Sequence, residues 1–109
     1  TLFPYTDALP ISHVERFNLI AKMDRFVDMA KAMGENVDGL SKRDAADKAL
    51  AAIEKLSADI GIPRGLSELG VVEADIATMT ANAQKDACGF TNPRCPTDED
   101  VMAIYKAAL

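Results

Sequence analysis

The sequence is poor in the residues from which metal sites and aromatic cores are built. It has one histidine, two cysteines and no tryptophan in 109 residues, and aromatic residues make up only 6%. A structural zinc site has four ligands, whereas Cys88 and Cys95 have no histidine near them in the chain. The two cysteines therefore do not predict a zinc site, and we expect both thiols to be reduced.

An excess of basic charge and long apolar runs are missing as well. Twelve lysines and arginines stand against 17 aspartates and glutamates, which gives a net charge of −5. Nucleic acid and anionic membranes attract basic surfaces, so neither is an expected partner. No apolar run approaches the ~20 residues that span a bilayer, and the first residues do not have the pattern of a secretory signal. We therefore expect a cytoplasmic protein.

Helical periodicity is what the sequence does contain. Apolar residues recur at spacings of three and four, as on one face of a helix, and no alternating strand pattern is found. Hydrophobic residues make up 49%, many of them alanine, which favours close packing of helices. The pattern predicts an all-α array, one domain at most, with helices over 12–20, 24–33, 41–60, 73–87 and 97–107.

Several blocks of the sequence resemble one enzyme family. Residues 85–109, KDACGFTNPRCPTDEDVMAIYKAAL, closely resemble the C-terminal end of the iron-dependent (group III) alcohol dehydrogenases. The resemblance continues upstream, in family order, through RFNLIAKMDRFVDMAKAMGENVDGLS (16–41), DAADKALAAIEKLSADIGIP (44–63) and LSELGV (66–71). It implies that residues 12–109 are the C-terminal part of the helical domain of such an enzyme.

The resemblance also implies a chemistry for the parent enzyme. Members of the family have an N-terminal dinucleotide-binding domain and hold a metal on one Asp and three His of the helical domain. The parent would interconvert small alcohols and aldehydes by hydride transfer, with NAD and Fe²⁺ or Zn²⁺ as cofactors. This chain has one histidine and no glycine-rich phosphate turn, so we expect the fragment alone to be inactive and its partner to be the rest of the dehydrogenase chain.

The resemblance places the functional surface at Cys88, Gly89 and Phe90. In relatives the corresponding segment faces the cleft between the domains, so these residues would form the pocket wall near the nicotinamide and the alcohol. The alternative is that the segment merely ends a helix and packs. His13 matches a family histidine that is not a metal ligand, so no catalytic residue and no metal ligand is expected here. Arg94 is expected to cap a helix end or pair with an acid.

Acidic residues at helical spacing could hold a divalent ion or act as acid and base. They are interleaved with lysine and arginine, which favours surface ion pairs. The acids concerned are Asp24, Asp28, Glu35, Asp44, Asp47, Glu54 and Asp59, and the neighbouring cations are Lys22, Arg25, Lys31, Lys48 and Lys55.

Residues 1–11, TLFPYTDALPI, do not resemble the family. They match, without a gap, a translation of the adapter used in short-read DNA sequencing if one G is added to the adapter. A leftover adapter base would also turn the proline codon of the family's Leu-Pro-His-Val segment into the codon for Ser12. We interpret residues 1–11 as a non-native segment and expect it to pack poorly.

A second function stays open on the sequence alone. A free-standing small helical protein could use alanine-rich and methionine-bearing faces to dock partner helices. The coding sequence upstream of codon 12 would discriminate, because a parent enzyme requires a dinucleotide-binding half there.

Overall fold

The computed structural model describes residues 9–109, which form five α-helices and three short 3-10 turns. The helices are α1 (Ile11–Leu19), α2 (Met23–Ala32), α3 (Lys42–Asp59), α4 (Ile76–Ala83) and α5 (Asp98–Ala108). The 3-10 turns are Leu66–Leu69, Glu73–Asp75 and Ala87–Thr91. The described part of the chain has no strand and no helix long and apolar enough to cross a membrane. The all-α prediction is therefore confirmed.

The helix ends follow from capping residues in the sequence. The Ser41 hydroxyl accepts a hydrogen bond from the main-chain N–H of Asp44 at 3.1 Å and starts α3. Thr97 and Asp100 cap α5 reciprocally, each side chain accepting from the other residue's N–H. Gly34, with a φ of 87°, lies just past the end of α2 in a left-handed conformation that costs glycine little. These predicted caps are confirmed.

The main core lies where α1 and α2 pack on the first half of α3. Its larger side chains are Leu19, Phe26 and Leu50, and between them lie alanines that are wholly or almost wholly buried. A methyl side chain lets two helix backbones approach closely, so the alanine stripe of α3 can receive the larger residues of α2. The buried alanines of this cluster are Ala30, Ala46 and Ala49.

The apolar face of α3 is not buried along its whole length. Leu56 is 52% exposed and Ile60 is 65% exposed. These side chains are exposed because α3, with 18 residues, is longer than α2, which has ten. At about 1.5 Å per residue, α3 extends well beyond α2.

The predicted helix over 73–87 is also corrected. Glu73–Asp75 is a 3-10 turn, α4 ends at Ala83, and Ala87 is exposed rather than in the core. After α4 the chain tightens, since Lys85 and Asp86 donate to carbonyls only three residues back. The Asp86 carboxylate then accepts from the N–H of Cys88 at 2.8 Å, a local bond that competes with helix continuation.

A second, smaller core joins the two ends of the described chain. Leu9, Leu66 and Ala108 are buried together, with Tyr105 and Leu109 packed against them. The expectation that residues 1–11 pack poorly is wrong at Leu9, which is 6% exposed, because an apolar side chain fits this apolar gap whatever its origin. The rest of that expectation, for residues 1–8, lies outside the described residues.

Candidate functional site

A cleft of about 570 Å³ opens between α1, α4, α5 and the 3-10 turn Ala87–Thr91, which we call the Cys88 segment. Most of its wall is apolar, and the polar groups that reach it are few. Val14 and Phe17 of α1, Met79 of α4, and Val101 and Ile104 of α5 line it. A largely apolar hollow with a few polar groups is the usual form of a small-molecule site.

Two of the three residues expected at the pocket wall line this cleft. Cys88 and Gly89 are among its lining residues, whereas Phe90 is not and its side chain is 93% exposed. The local fold explains the difference, because the segment turns tightly: Thr91 Oγ1 donates to the carbonyl of Cys88 at 3.1 Å, and the N–H of Asn92 donates to the carbonyl of Gly89 at 3.3 Å. The segment lies between α4 and α5 as a separate turn rather than as the last turn of a helix.

The thiol of Cys88 is held in its neutral form. A hydrogen bond from the thiol to the Asp86 carboxylate, and then the negative charge of that carboxylate, raise the pKa of Cys88. The pKa of Asp86 is lowered, first by the hydrogen bond from the N–H of Cys88. Since the thiolate is the nucleophilic form of cysteine, Cys88 is suited to line a wall and not to attack a substrate.

Two titratable groups of the cleft are half-buried. Burial raises the pKa of the Glu15 carboxyl and that of the Tyr105 hydroxyl. Both side chains are polar groups in a mostly apolar hollow, on α1 and α5 respectively. Asp86 lines the cleft as well, so the cleft can offer two carboxyls and one phenol to a bound molecule.

Two polar anchors fasten the stretch after the Cys88 segment to α1. The side chains of Asn18 and Asn92 exchange hydrogen bonds of 2.9 and 2.8 Å. Asn18 is 3% exposed, and a buried amide without a partner costs about 1–3 kcal/mol. This pair could not be predicted from the sequence. Its only local signal is the position of Asn18 between two apolar residues, Phe17 and Leu19.

Arg94 supplies the second anchor. Its Nη1 donates to the carbonyl of Phe17 at 3.0 Å, and its guanidinium lies 3.9 Å from the centre of the Phe17 ring. The N–H of Ala21 bonds to the carbonyl of Asn18, so the Phe17 carbonyl at the end of α1 accepts from Arg94 instead. The prediction that Arg94 caps a helix end is confirmed, and the cation over the ring contributes about 0.5–1 kcal/mol.

The described residues do not fit a metal centre. Among residues 9–109 no three His, Cys, Asp or Glu side chains come together in a way that could hold a metal ion. His13 is half-buried on α1, and its pKa is lowered by burial and then by the charge of Arg16, while Glu54 acts in the opposite direction. A lone imidazole of this kind does not form a tight site.

The acidic residues on the helices form surface ion pairs. Lys42 lies 2.8 Å from Asp24, and the other pairs are Arg43–Asp47, Lys55–Asp59 and Arg16–Glu54. All of these side chains are substantially exposed, so each pair contributes little to stability. The interpretation as surface pairs is confirmed for four of the seven acids, although only Asp59 pairs with an expected cation, Lys55. Within residues 9–109 the other three, Asp28, Glu35 and Asp44, form no ion pair.

Comparison with known proteins covers almost the whole chain. A sequence model of the Fe-containing alcohol dehydrogenase family, C-terminal, matches residues 5–109, so the match begins inside the segment interpreted above as non-native. The 1,3-propanediol dehydrogenase of Klebsiella pneumoniae is 50% identical over 94% of this chain. The NAD-dependent methanol dehydrogenase of Bacillus methanolicus is 45% identical over the same share.

A solved structure agrees with these sequence matches. The crystal structure of a 1,3-propanediol oxidoreductase superposes with a TM-score of 0.93 at 48% identity, covering 96% of this chain and 28% of that one. The chain spans about 27% of the length of the two curated relatives. Its helical array thus has the fold of the corresponding quarter of that structure.

Proposed function

The chain belongs to the iron-containing alcohol dehydrogenase family, and from this premise we propose that it forms one wall of the substrate and nicotinamide cleft of an NAD-linked alcohol dehydrogenase. The whole enzyme interconverts small alcohols and aldehydes by hydride transfer. Because residues 9–109 bring no metal donors together, we assign the metal ligands and the dinucleotide-binding turn to the rest of the enzyme. No reaction step is assigned to a residue of this chain.

The observation that carries the proposal is the position of Cys88 and Gly89 on the cleft. A neutral thiol and a residue without a side chain leave room for a flat ring and a short alcohol. Phe90 is directed into solvent, so we assign it to contact with a part of the enzyme outside this chain.

The free-standing interaction module is not favoured. The family match runs from residue 5 to the last residue, and the superposition covers 96% of the chain, so no part of it is left to define a separate module. We propose a cytoplasmic location for the whole enzyme. It is supported by Cys88 and Cys95, which are both free and exposed, as is usual in a reducing compartment.

We retain as a proposal that residues 1–11 derive from a sequencing adapter. The support is the eleven-residue match in translation together with the serine codon at position 12. Amplification of the gene from source DNA, reading upstream from the codons of α1, tests it. We expect a different sequence before codon 12, and recovery of codons for all eleven residues from genomic DNA would contradict the proposal.

The function itself is tested by reconnecting the chain to an upstream enzyme. Residues 12–109 replace the matching segment of the Klebsiella pneumoniae 1,3-propanediol dehydrogenase, and oxidation of 1,3-propanediol with NAD is measured. We expect an active chimera. Cys88→Trp should then lower kcat/KM by about tenfold or more, because the indole occupies the cleft.

The matched control is Cys95→Trp. Cys95 is exposed and does not line the cleft, so the same change there should leave kcat/KM nearly unaltered. An active chimera in which both tryptophan variants behave alike would remove the Cys88 segment from the substrate site.

A further inference from the structure

The cleft wall and α1 are joined by a buried pair of identical side chains. Asn18 Nδ2 donates to Asn92 Oδ1, and Asn92 Nδ2 donates to Asn18 Oδ1, across 74 positions of sequence. Asn18 is almost wholly buried, so its amide has no access to bulk water as a substitute partner. The reciprocal geometry fixes both the distance and the orientation of Asn92 relative to α1.

Asn92 passes this constraint on to the cleft wall. Its second amide hydrogen donates to the carbonyl of Arg94, so the side chain is held on both sides. Its main-chain N–H donates to the carbonyl of Gly89, while the neighbouring Thr91 hydroxyl donates to the carbonyl of Cys88. One residue therefore contacts α1 through its side chain and the wall through its backbone.

Resting on the proposed function, we propose that Asn92, held by Asn18, is the positioning residue of the cleft wall. Helix α1 then determines where Cys88 and Gly89 stand, and through them how the ring and the alcohol lie against the wall. Asn92 itself performs no chemistry. A displacement of about 1 Å at a reacting pair lowers rates by about a hundredfold, so such an anchor affects turnover strongly.

The pair could instead contribute only to stability, and two neutral variants separate these roles. Asn92→Ala removes the side chain that bridges α1 and the wall. Asn18→Leu keeps the branched shape of the side chain on α1 and breaks the same pair from the other side. Asn82→Ala is the control, because Asn82 is exposed on α4 and its side chain makes no hydrogen bond within residues 9–109.

The reactivity of the Cys88 thiol is used to detect movement of the cleft wall in the full chain. All variants also carry Cys95→Ser, so that Cys88 is the thiol that reacts. The rate of its alkylation by iodoacetamide is measured as a function of pH, together with the backbone amide resonances of Cys88 and Gly89. When the anchor is lost, the bond between Cys88 and Asp86 loosens and the thiol titrates at lower pH. We expect alkylation near neutral pH to rise at least about threefold, because losing the contact with Asp86 removes the main cause that raises the pKa of Cys88 and leaves more thiolate.

Both asparagine variants should produce this change while the resonances of Leu50 and Phe26 stay in place. The side-chain hydrogen bonds of Asn18 go to Asn92, so an effect of Asn18→Leu on Cys88 is expected to pass through that pair. If neither variant alters Cys88 beyond the control, or if only Asn92→Ala does, the positioning role is refuted. Should Asn92→Ala fail to fold, Asn18→Leu decides by itself.

The chimera connects this anchor to turnover. There, Asn92→Ala and Asn18→Leu should each lower kcat by about tenfold or more, and Asn82→Ala should leave it unchanged. A chimera without any activity would count against the proposed function, while alkylation of the full chain would still decide the inference. Full kcat in both variants of an active chimera would overturn it.

Discussion

The α2–α3 pair and the region from Leu66 to Leu109 are built on different principles. In the pair, two regular helices bury a continuous set of alanines and larger apolar residues, and the polar contacts are exposed ion pairs. In the later region short 3-10 turns alternate with helices, and reciprocal side-chain hydrogen bonds hold the turns. The apolar cluster at this end of the molecule has three buried residues, of which Leu66 and Ala108 belong to the region and Leu9 does not.

The difference shows how stability and function are divided. Close helix packing stabilises through buried area, so the α2–α3 pair acts as a scaffold. The later region forms, together with α1, a cleft of about 570 Å³. Binding residues commonly lie on irregular segments held by a rigid scaffold, and the Cys88 segment matches that arrangement.

The sharpest test of the comparison is removal of a large side chain from the scaffold. Leu50 is 2% exposed and packs in the main core, so Leu50→Ala should lower the free energy of unfolding by about 2–5 kcal/mol. Leu56→Ala makes the same change two turns later on α3, where the side chain is half-exposed, and should cost less than about 1 kcal/mol. Urea unfolding followed by circular dichroism measures both. Equal losses would mean that α3 is not divided into a buried and an exposed half.

The start and the buried face of α3 could be predicted from the sequence, because both depend on residues that are close together in the chain. Ser41 marks the start of α3, and the spacing of Ala45, Ala46, Ala49 and Leu50 gives its buried face. The end of α4 could not be predicted in the same way. Apolar spacing continues to Ala87, and only the competing hydrogen bond of Asp86, a matter of side-chain geometry, shows where the helix stops.

The site residues stay a prediction that rests on the resemblance. The family pattern pointed to Cys88, Gly89 and Phe90, and the structure adds that Phe90 is directed away from the cleft. The contact between Asn18 and Asn92 could not be predicted, because the two residues are 74 positions apart and no local pattern links them. The burial of Glu15 could not be predicted either, since it depends on helices that are distant in sequence.

A second, smaller effect tests whether the later region is tightly packed where the chain ends. A β-carbon at Gly65 would collide with the backbone carbonyl of Leu109, which also accepts hydrogen bonds from the hydroxyl and the N–H of Ser67. Gly65→Ala should therefore cost about 1–3 kcal/mol.

Gly89→Ala serves as the control for this change, because nothing lies within 4 Å of the added carbon. Thermal unfolding of the two variants gives the comparison. If Gly65→Ala lowers the melting temperature no more than Gly89→Ala does, Leu109 can move aside at little cost. The small apolar cluster would then contribute little to stability.

The smallest expected effect contrasts, through pH, a carboxyl of the cleft on α1 with a carboxyl of the scaffold. Burial raises the pKa of Glu15, so the folded state binds this proton more tightly than the unfolded state does. Its contribution to stability is then greatest below the ordinary pKa and declines as pH rises through the folded pKa. Glu15→Gln should stabilise the protein near neutral pH by less than about 1 kcal/mol, since the side chain is only half-buried. At a pH well below the ordinary pKa the variant and the parent should unfold alike.

Asp24 of the scaffold should behave in the opposite sense. The hydrogen bond from Lys42, and then the charge of that lysine, lower the pKa of Asp24. The folded state therefore favours the ionised carboxylate, and its contribution is present above the ordinary pKa and lost as pH falls through the lowered one. Asp24→Asn should destabilise near neutral pH and have no effect in acid. Urea unfolding of both variants at the two pH values shows whether each substitution raises or lowers the free energy of unfolding. If Glu15→Gln and Asp24→Asn change it in the same direction at neutral pH, burial in the cleft does not destabilise the Glu15 carboxylate. The cleft and the scaffold would then not differ in how they treat a carboxylate.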